Sequence, residues 1–217
     1  MISREPIFCI RCELANILDA SARHGHPNRP FVFASTSKAT LAGAGLAMLA
    51  SSPENVRWYL QHAGRRSIGP DKVNELRHVR FLRDEDGLHR VMDAHRRLLA
   101  PKFTRVQDVF GELLGGTGTA TWSEPKGGYF ISLDVMDGCA KRVVALAREA
   151  GIAVVPAGQT YPYSHDPRDR NIRIAPSFPT VEEVEQAAEG LALCVLLAAT
   201  EKLMDGRAAA VSRETAT

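Results

Sequence analysis

The sequence predicts an α/β fold in which a parallel-type sheet fragment with helices is followed by a small α+β domain. Two short apolar runs in the first hundred residues, FVFAS and GLAMLA, suit strands that are buried on both faces, as in parallel sheets. Beyond the interruption GGTGT the pattern changes to antiparallel strands alternating with helices. We therefore predict a parallel-type unit in residues 1–100, a small α+β domain in 101–203 and a disordered tail in 204–217.

The first part of the chain contains three helical patterns around the two apolar runs. A helix is expected over residues 13–24, before the strand FVFAS. Ser52 is a candidate N-cap with Pro53 at the first helical position, so a second helix is expected to begin there. The residues from Asp71 to about Leu99 keep helical spacing and predict one long helix, or two with a joint near Gly87.

The second part combines four predicted strands with three helices. Pro101 is expected to open the first of these helices. The segments TATWS, GGYFISLDV, IAVVPA and NIRIAPS are predicted strands. Asp137 is expected to cap a helix that stops at Gly151, and Thr180 with Glu183 has the spacing of a capping box at the start of the last helix.

Composition excludes several classes of protein. The 217 residues are 45% hydrophobic and 24% charged, which is typical of a globular chain. No apolar run is long enough to span a membrane, and the start MISREPIFCIRC lacks the pattern of a secretory signal, so we expect a cytoplasmic protein. The net charge of +2 argues against nucleic acid as a partner, because its phosphates require a concentrated basic surface. The basic region RHVRFLRDEDGLHRVMDAHRR is interrupted by acids at helical spacing and indicates a solvated helix face.

The cysteines do not indicate disulfides or a metal site. They are Cys9, Cys12, Cys139 and Cys194. Their number and scatter predict free thiols. Cys9 and Cys12 with His24 and His26 invite a zinc-finger interpretation, but the two histidines are closer together than finger ligands and the intervening segment resembles a plain amphipathic helix. We expect no metal.

The tetrapeptide STSK directly after FVFA is the main candidate site. In open parallel sheets ligands gather beyond the carboxyl ends of strands. There Lys38 would be partly desolvated, which favours the neutral amine and attack on an aldehyde. Ser35, Thr36 and Ser37 supply hydroxyl donors for a phosphate, and Gly43 and Gly45 permit close backbone approach. An aldehyde that carries a phosphate is pyridoxal 5′-phosphate. The alternative is that Lys38 merely extends into solvent and the serines cap a turn.

A second candidate is Arg173, which lies between Ile172 and Ile174 in a predicted strand. The alternation of a strand directs Arg173 to the face opposite its neighbours. Its guanidinium presents a fixed fork that pairs bidentately with a carboxylate, as an amino-acid substrate would require. An ordinary ion pair within the protein is the alternative.

Five blocks together resemble the fold type I pyridoxal-phosphate enzymes, and specifically the MocR-type aspartate or alanine-glyoxylate aminotransferase family. The blocks are FVFASTSKATLAGAG, RRSIGPDKVNELRHVRFLRD, PKGGYFISLDV, AGIAVVPAG and RNIRIAPSFP. The resemblance covers residues 13–197 and implies that residues 1–100 are the C-terminal portion of the cofactor-binding large domain. It also implies a homodimer with amino acid and 2-oxo acid substrates.

The resemblance also implies roles for individual residues. Lys38 matches the lysine that binds the cofactor covalently and then moves the substrate proton, and Ser35 matches the phosphate-binding serine. Ser37 is a further candidate for the phosphate. Ser67 resembles the loop that reaches the neighbouring subunit's phosphate, with an ordinary helix cap as the alternative. Arg173 matches the arginine that holds the substrate α-carboxylate.

The chain departs from the family pattern at two places. Gly45 and Leu46 stand where many fold type I enzymes have a phosphate-binding arginine. The aspartate that pairs with the pyridinium nitrogen would fall near Ile2, whereas the first aspartate is Asp19. We therefore expect an N-terminally truncated form, with weak or no aminotransferase activity by itself.

Two classes of function follow. The first is an aminotransferase, with aspartate and 2-oxoglutarate as the substrates that the family implies; a lyase or decarboxylase on the same fold stays open. Arg65, Arg66 and Lys72 are candidates for holding a second carboxylate, with surface solvation as the alternative. The second class is a non-catalytic remnant or the effector module of a regulator, with an incomplete cofactor site.

Overall fold

The computed structural model describes residues 15–214, and the side chains of residues 15–208. The described residues form two compact units, which we call the first unit (residues 15–96) and the second unit (residues 97–214). The boundary lies within a helix.

The first unit contains short strands and helices joined by exposed turns. Its elements are α1 Ile17–Arg23, β1 Val32–Ser35, β2 Ala47–Ala50, α2 Pro53–Ala63, α3 Lys72–Leu82 and the first part of α4 Glu85–Leu113. The predicted N-cap is confirmed, since Ser52 Oγ accepts a hydrogen bond from Asn55 N and Pro53 opens α2. The break between α3 and α4 falls at Arg83, which has a φ of 68°, and so precedes the expected joint at Gly87.

The prediction of two parallel, doubly buried strands is wrong. β1 and β2 pair antiparallel, with Phe33 opposite Leu49 and Ser35 opposite Ala47. Phe33 is 73% exposed and Met48 49% exposed. The connecting residues 36–46 contain no helix to carry the chain back for a parallel crossover, so the second strand returns beside the first.

The second unit is a three-stranded antiparallel sheet packed against long helices. Its elements are the remainder of α4, β3 Ala120–Trp122, β4 Ile131–Val135, α5 Ala140–Glu149, a 3₁₀ turn Pro162–Ser164, β5 Asn171–Ile174 and α6 Val181–Glu214. The strand order is β3-β4-β5, and both pairs are antiparallel, as the sequence predicts for the second part of the chain.

Alternation along the strands places the core of the second unit on one face of the sheet. Ile131, Leu133 and Val135 of β4 are buried, whereas Ser132 between them is exposed. The helices close this core with further fully buried side chains: Phe103 and Phe110 of α4, Val143 of α5 and Val195 of α6. None of the helices in the described part of the chain is both long enough and apolar enough to cross a membrane.

Two helix boundaries differ from the prediction. Pro101 lies inside α4 and does not begin a new helix. Burial of Leu99 and Phe103 on the core side of α4 holds the helix together across the proline. Asp137 does not cap α5; the N-cap is Cys139, and the Asp137 carboxylate instead pairs with Arg168 at 2.9 Å.

The predicted strand IAVVPA is also wrong. Residues 152–156 form no ladder, although Ile152 and Val154 pack against the core. Their apolar pattern therefore reflects burial without strand pairing. The predicted stop at Gly151 agrees with its φ of 79°, a left-handed conformation that glycine adopts without strain.

The capping box at the start of α6 is confirmed. Thr180 N donates to the Glu183 carboxylate at 2.8 Å, and Glu183 N donates to Thr180 Oγ1 at 3.2 Å. The helix then continues to Glu214 through residues 204–214, for which the sequence predicts a disordered tail. The run of three alanines in this stretch has high helix propensity, which favours continuation of α6.

Candidate cofactor and carboxylate sites

Lys38 lies in the turn that follows β1, and two serine hydroxyls lie beside it. Ser35 Oγ is 2.6 Å from Ser37 Oγ, and Ser37 N donates to Ser35 Oγ at 3.0 Å. Ser35, Ser37 and Lys38 are all exposed. The turn therefore carries an amine and two adjacent hydroxyls on exposed residues.

The expectation that Lys38 is desolvated beside a buried strand is wrong for this structure. Ala34 and Ser35 at the end of β1 are exposed, and so is Lys38. The β1–β2 pair is a two-stranded sheet whose residues are largely exposed, so the strand that precedes Lys38 is itself in contact with solvent.

The Lys38 turn packs closely on Gly45. A Cβ at Gly45 would lie 2.8 Å from Ser37 Oγ and 3.0 Å from Ser37 Cα and Ser37 N. Such distances are shorter than an ordinary van der Waals contact, so a side chain at this position would displace Ser37. Close packing against Ser37 therefore explains why a glycine occupies position 45.

Beneath the turn is a polar cluster that the sequence analysis missed. His78 of α3 is 3% exposed, and its Nε2 lies 2.9 Å from Thr40 Oγ1 and 3.2 Å from Thr36 Oγ1. Asn74, one turn earlier in α3, donates from Nδ2 to Ala44 O at 2.9 Å. Asn74 and His78 are spaced i, i+4, which places them on the same face of a helix. This spacing was a signal available in the sequence.

Ser67 lies in the exposed turn between α2 and α3. Its Oγ donates to Gly69 O at 2.6 Å and accepts from Gly69 N at 3.3 Å. The helix-cap alternative does not hold, because Asp71 caps α3 through Val73 N and Asn74 N. The Ser67 hydroxyl is thus part of a tight local turn.

Arg173 occupies the centre of β5, opposite Ser132 of β4. Ile172 is buried and Ile174 packs against the core, as expected from strand alternation. The guanidinium carbon lies 4.6 Å from the centre of the Phe130 ring, in a cation–π contact. Among the described residues no carboxylate forms an ion pair with Arg173, and its Nε is buried without a hydrogen-bond partner.

The turn before β5 is organised by Asp166, which is 8% exposed. Its carboxylate accepts hydrogen bonds from Arg168 N at 2.9 Å and from Arg170 N and Asn171 N at 2.8 Å. Burial opposes the charge, but the backbone hydrogen bonds outweigh it, so the pKa of Asp166 is lowered. Asp166 thereby fixes the start of the strand that carries Arg173.

The described residues contain no group of His, Cys, Asp and Glu side chains suited to a metal ion. Cys9 and Cys12 of the zinc hypothesis lie outside the described residues. Cys139 and Cys194 are free and buried, and burial raises the pKa of both thiols. Both thiols are therefore poor nucleophiles in this fold.

The fold of this chain is similar to that of solved aminotransferases. The α-aminoadipate aminotransferase of Thermus thermophilus, solved in complex with N-(5′-phosphopyridoxyl)-L-leucine, is similar over 90% of this chain and 49% of its own, with a TM-score of 0.72 at 18% identity. An aspartate transaminase of Corynebacterium glutamicum is similar over 91% of this chain and 47% of its own, with a TM-score of 0.83 at 48% identity.

Sequence comparison gives the family. Residues 7–207 match the family model described as aspartate amino-transferase. A protein of Mycolicibacterium smegmatis whose name assigns it as an aminotransferase is 57% identical over 88% of this chain and 45% of its own length. The chain belongs to the aspartate aminotransferase family, and it spans slightly less than half the length of the relatives it matches.

Proposed function

We propose that this chain is the C-terminal half of a pyridoxal-phosphate-dependent aminotransferase of the MocR-type aspartate group, which transfers an amino group between an amino acid and a 2-oxo acid. The observation that carries the proposal is the match of 48% identity and TM-score 0.83 to an aspartate transaminase. Aspartate as donor and 2-oxoglutarate as acceptor are the proposed substrates.

The Lys38 turn fits the cofactor by its donor set. Ser35 and Ser37 bring two hydroxyls within 2.6 Å of each other, which suits two oxygens of one phosphate group. Gly45 leaves the space against Ser37 that a side chain would fill. No arginine stands at positions 45 and 46 to bind the phosphate. The phosphate would be bound instead by hydroxyl donors, by backbone N–H groups and by the loop of a second subunit that carries Ser67.

The cofactor would supply an aldehyde and a ring that withdraws electrons from the substrate α-carbon. Lys38 would hold the cofactor through Nζ and then move the proton at the α-carbon as a general base and acid. Ser35 and Ser37 would orient the phosphate, and Ser67 would bind it from a second subunit. These roles require that Lys38 loses its proton, which a partner domain covering the exposed turn would promote.

Arg173 would hold the substrate α-carboxylate. Its guanidinium forms no ion pair with a carboxylate of the described residues, and the Phe130 ring restricts the orientation of the group. A planar fork held in this way favours bidentate pairing with a carboxylate. For the second carboxylate of aspartate, Arg65, Arg66 and Lys72 of the first unit are the proposed cations.

We also propose a homodimer in the cytoplasm. Trp58 and Leu60 of α2 and Val73 and Val79 of α3 are between 56% and 71% exposed. Large apolar side chains on neighbouring helices favour association. Sedimentation analysis should show dimers or larger species, whereas a stable monomer would contradict this part of the proposal.

Titration with cofactor tests the proposed function. The 217-residue chain should bind pyridoxal phosphate and absorb near the edge of the visible range, and L-aspartate should release one equivalent of 2-oxo acid slowly in a single turnover. Lys38→Ala should abolish both signals, and Lys126→Ala, an exposed lysine with no assigned role, should retain them. A chain that stays colourless with excess cofactor would exclude the enzyme for this polypeptide and point to the non-catalytic module.

A further inference from the structure

The one side chain of the first unit described as both buried and ionisable is His78. It is 3% exposed, although its neighbours Arg77 and Val79 in α3 are exposed. A polar group in such a position costs free energy unless it is hydrogen bonded. Both nitrogens of the ring do have partners, and the proposed mechanism does not use the residue.

The imidazole joins α3 to both ends of the segment that carries Lys38. Nδ1 lies 2.9 Å from Asn74 O, a carbonyl that can only accept, so Nδ1 carries a proton. Nε2 contacts Thr40 Oγ1 at 2.9 Å and Thr36 Oγ1 at 3.2 Å. Lys38 lies midway between these two threonines in the chain.

Thr36 is also the point where the segment closes on itself. Its N donates to Leu46 O at 2.9 Å, and Leu46 N donates to Thr36 Oγ1 at 2.8 Å. Thr40 N donates to Thr36 O at 2.8 Å. The Thr36 hydroxyl therefore contacts His78 and also accepts a hydrogen bond from the backbone N–H of Leu46, which closes the loop of residues 36–46.

Asn74 supplies a second attachment from the same face of α3. Its Nδ2 donates to Ala44 O at 2.9 Å, next to Gly45 and Leu46. Two residues spaced i, i+4 on α3 therefore hold the loop before and after Lys38. The loop has few buried apolar side chains to fix it otherwise, since Leu41 and Ala42 are exposed.

We infer that His78 is a positioning residue that, through Thr36 and Thr40, fixes the turn presenting Ser35, Ser37 and Lys38 to the cofactor. The identity of the ligand rests on the proposed function. The hydrogen bonds by which His78 holds the turn do not depend on it. Loss of the imidazole leaves two threonine hydroxyls facing a cavity and frees the turn to move. Two lost hydrogen bonds of ordinary strength predict about a tenfold loss of cofactor affinity.

Three histidine variants of the 217-residue chain test this. We expect His78→Ala to weaken pyridoxal phosphate binding about tenfold, and His78→Gln to recover most of the loss, because a glutamine amide can reach the position of Nε2. The control is His62→Ala. His62 contacts Trp58 O at 2.8 Å in the same i, i−4 manner, but it is exposed on α2. Within the described part of the chain its ring forms no hydrogen bond with the Lys38 loop.

Unchanged affinity in His78→Ala would overturn the inference. A loss that His78→Gln shares in full would also overturn it, since packing of the ring and not its hydrogen bonds would then be responsible. Melting temperatures of all variants should be measured together with affinity, and a fall in stability without a change in affinity would assign His78 a purely structural role.

Hydrogen exchange without cofactor separates this inference from the proposed function. His78→Ala should speed amide exchange in residues 36–46, notably at Thr36, Thr40 and Leu46, and leave α2 unchanged. If the wild-type chain binds no pyridoxal phosphate, the proposed function fails, and exchange in residues 36–46 still decides the role of His78. Equal exchange in His78→Ala and wild type would refute that role.

Discussion

The two units of the chain are held together in different ways. Every side chain that the structure describes as a buried hydrophobic lies between Leu99 and Ala199, in the second unit. In the first unit the most buried described side chain is polar, His78, while Phe33 is 73% exposed. The second unit is thus fixed by apolar packing, and the loop of the first unit is fixed by a small number of hydrogen bonds.

This difference bears on the two candidate sites. Arg173 is carried by a strand whose neighbours Ile172 and Ile174 are anchored in the core, so its position is defined by packing. Lys38 is carried by an exposed turn that depends on Thr36, Thr40 and His78. Substitutions in the core that supports Arg173 should therefore act mainly on stability, whereas substitutions near Lys38 should act mainly on ligand binding.

The largest expected effect comes from the packed core. Phe110 is fully buried and contacts Trp122 edge to face, with ring centres 5.6 Å apart. Phe110→Ala should lower the free energy of unfolding by about 3–5 kcal/mol, because it removes a large side chain and leaves a cavity. The matched control Phe33→Ala should cost less than about 0.5 kcal/mol, since that ring is mostly exposed. Denaturant unfolding measures both, and similar losses would break the contrast between the two units.

The next effect concerns Asp166 and is pH dependent. Asp166→Ala leaves three backbone N–H groups without their acceptor and should cost on the order of 2 kcal/mol at pH 7. Because the folded-state pKa of Asp166 is lowered, its ionised form stabilises the fold above the unfolded pKa of about 3.9. That contribution is lost as the pH falls through the folded pKa.

Unfolding curves of the wild type and Asp166→Ala between neutral and acidic pH test this sign. The stability difference between them should shrink as the pH decreases below about 4. If the difference in free energy of unfolding instead increased as the pH falls, the turn would not stabilise the ionised carboxylate of Asp166.

A smaller effect is expected at Arg173. Arg173→Lys keeps the charge but loses the planar fork, so it should weaken binding of an amino-acid carboxylate about tenfold while the protein stays folded. Calorimetry with L-aspartate on the cofactor-loaded chain measures this. The control is Arg168→Lys, in which an exposed arginine that pairs with Asp137 is changed in the same way. Equal effects of the two substitutions would remove the carboxylate role.

Local signals in the sequence predicted local structure well. The capping box of Thr180 and Glu183, the Ser52 cap and the glycine stop at Gly151 depend on neighbouring residues, and each was found where predicted. The alternation around Arg173 correctly predicted that Ile172 is buried, and Ile174 is partly buried against the core. These features are encoded within a few residues and do not require knowledge of distant contacts.

Features that depend on distant contacts were not predictable in this way. The apolar runs of β1 and β2 suggested buried parallel strands, but the strands form an exposed antiparallel pair, because periodicity does not specify strand direction. Asp137 was predicted to cap α5 but pairs with Arg168, which lies far along the chain. The role of His78 likewise arises only when α3 folds against residues 36–46.

Chemical mapping of the cofactor tests the central claim, that the Lys38 turn binds pyridoxal phosphate, most directly. The loaded chain is reduced with borohydride, digested and analysed by mass spectrometry. We predict that the cofactor mass remains on the peptide containing STSK, at Lys38, and that Lys38→Ala abolishes the label. Label distributed over Lys72, Lys102 and Lys126, or none on the STSK peptide at saturating cofactor, would contradict the claim.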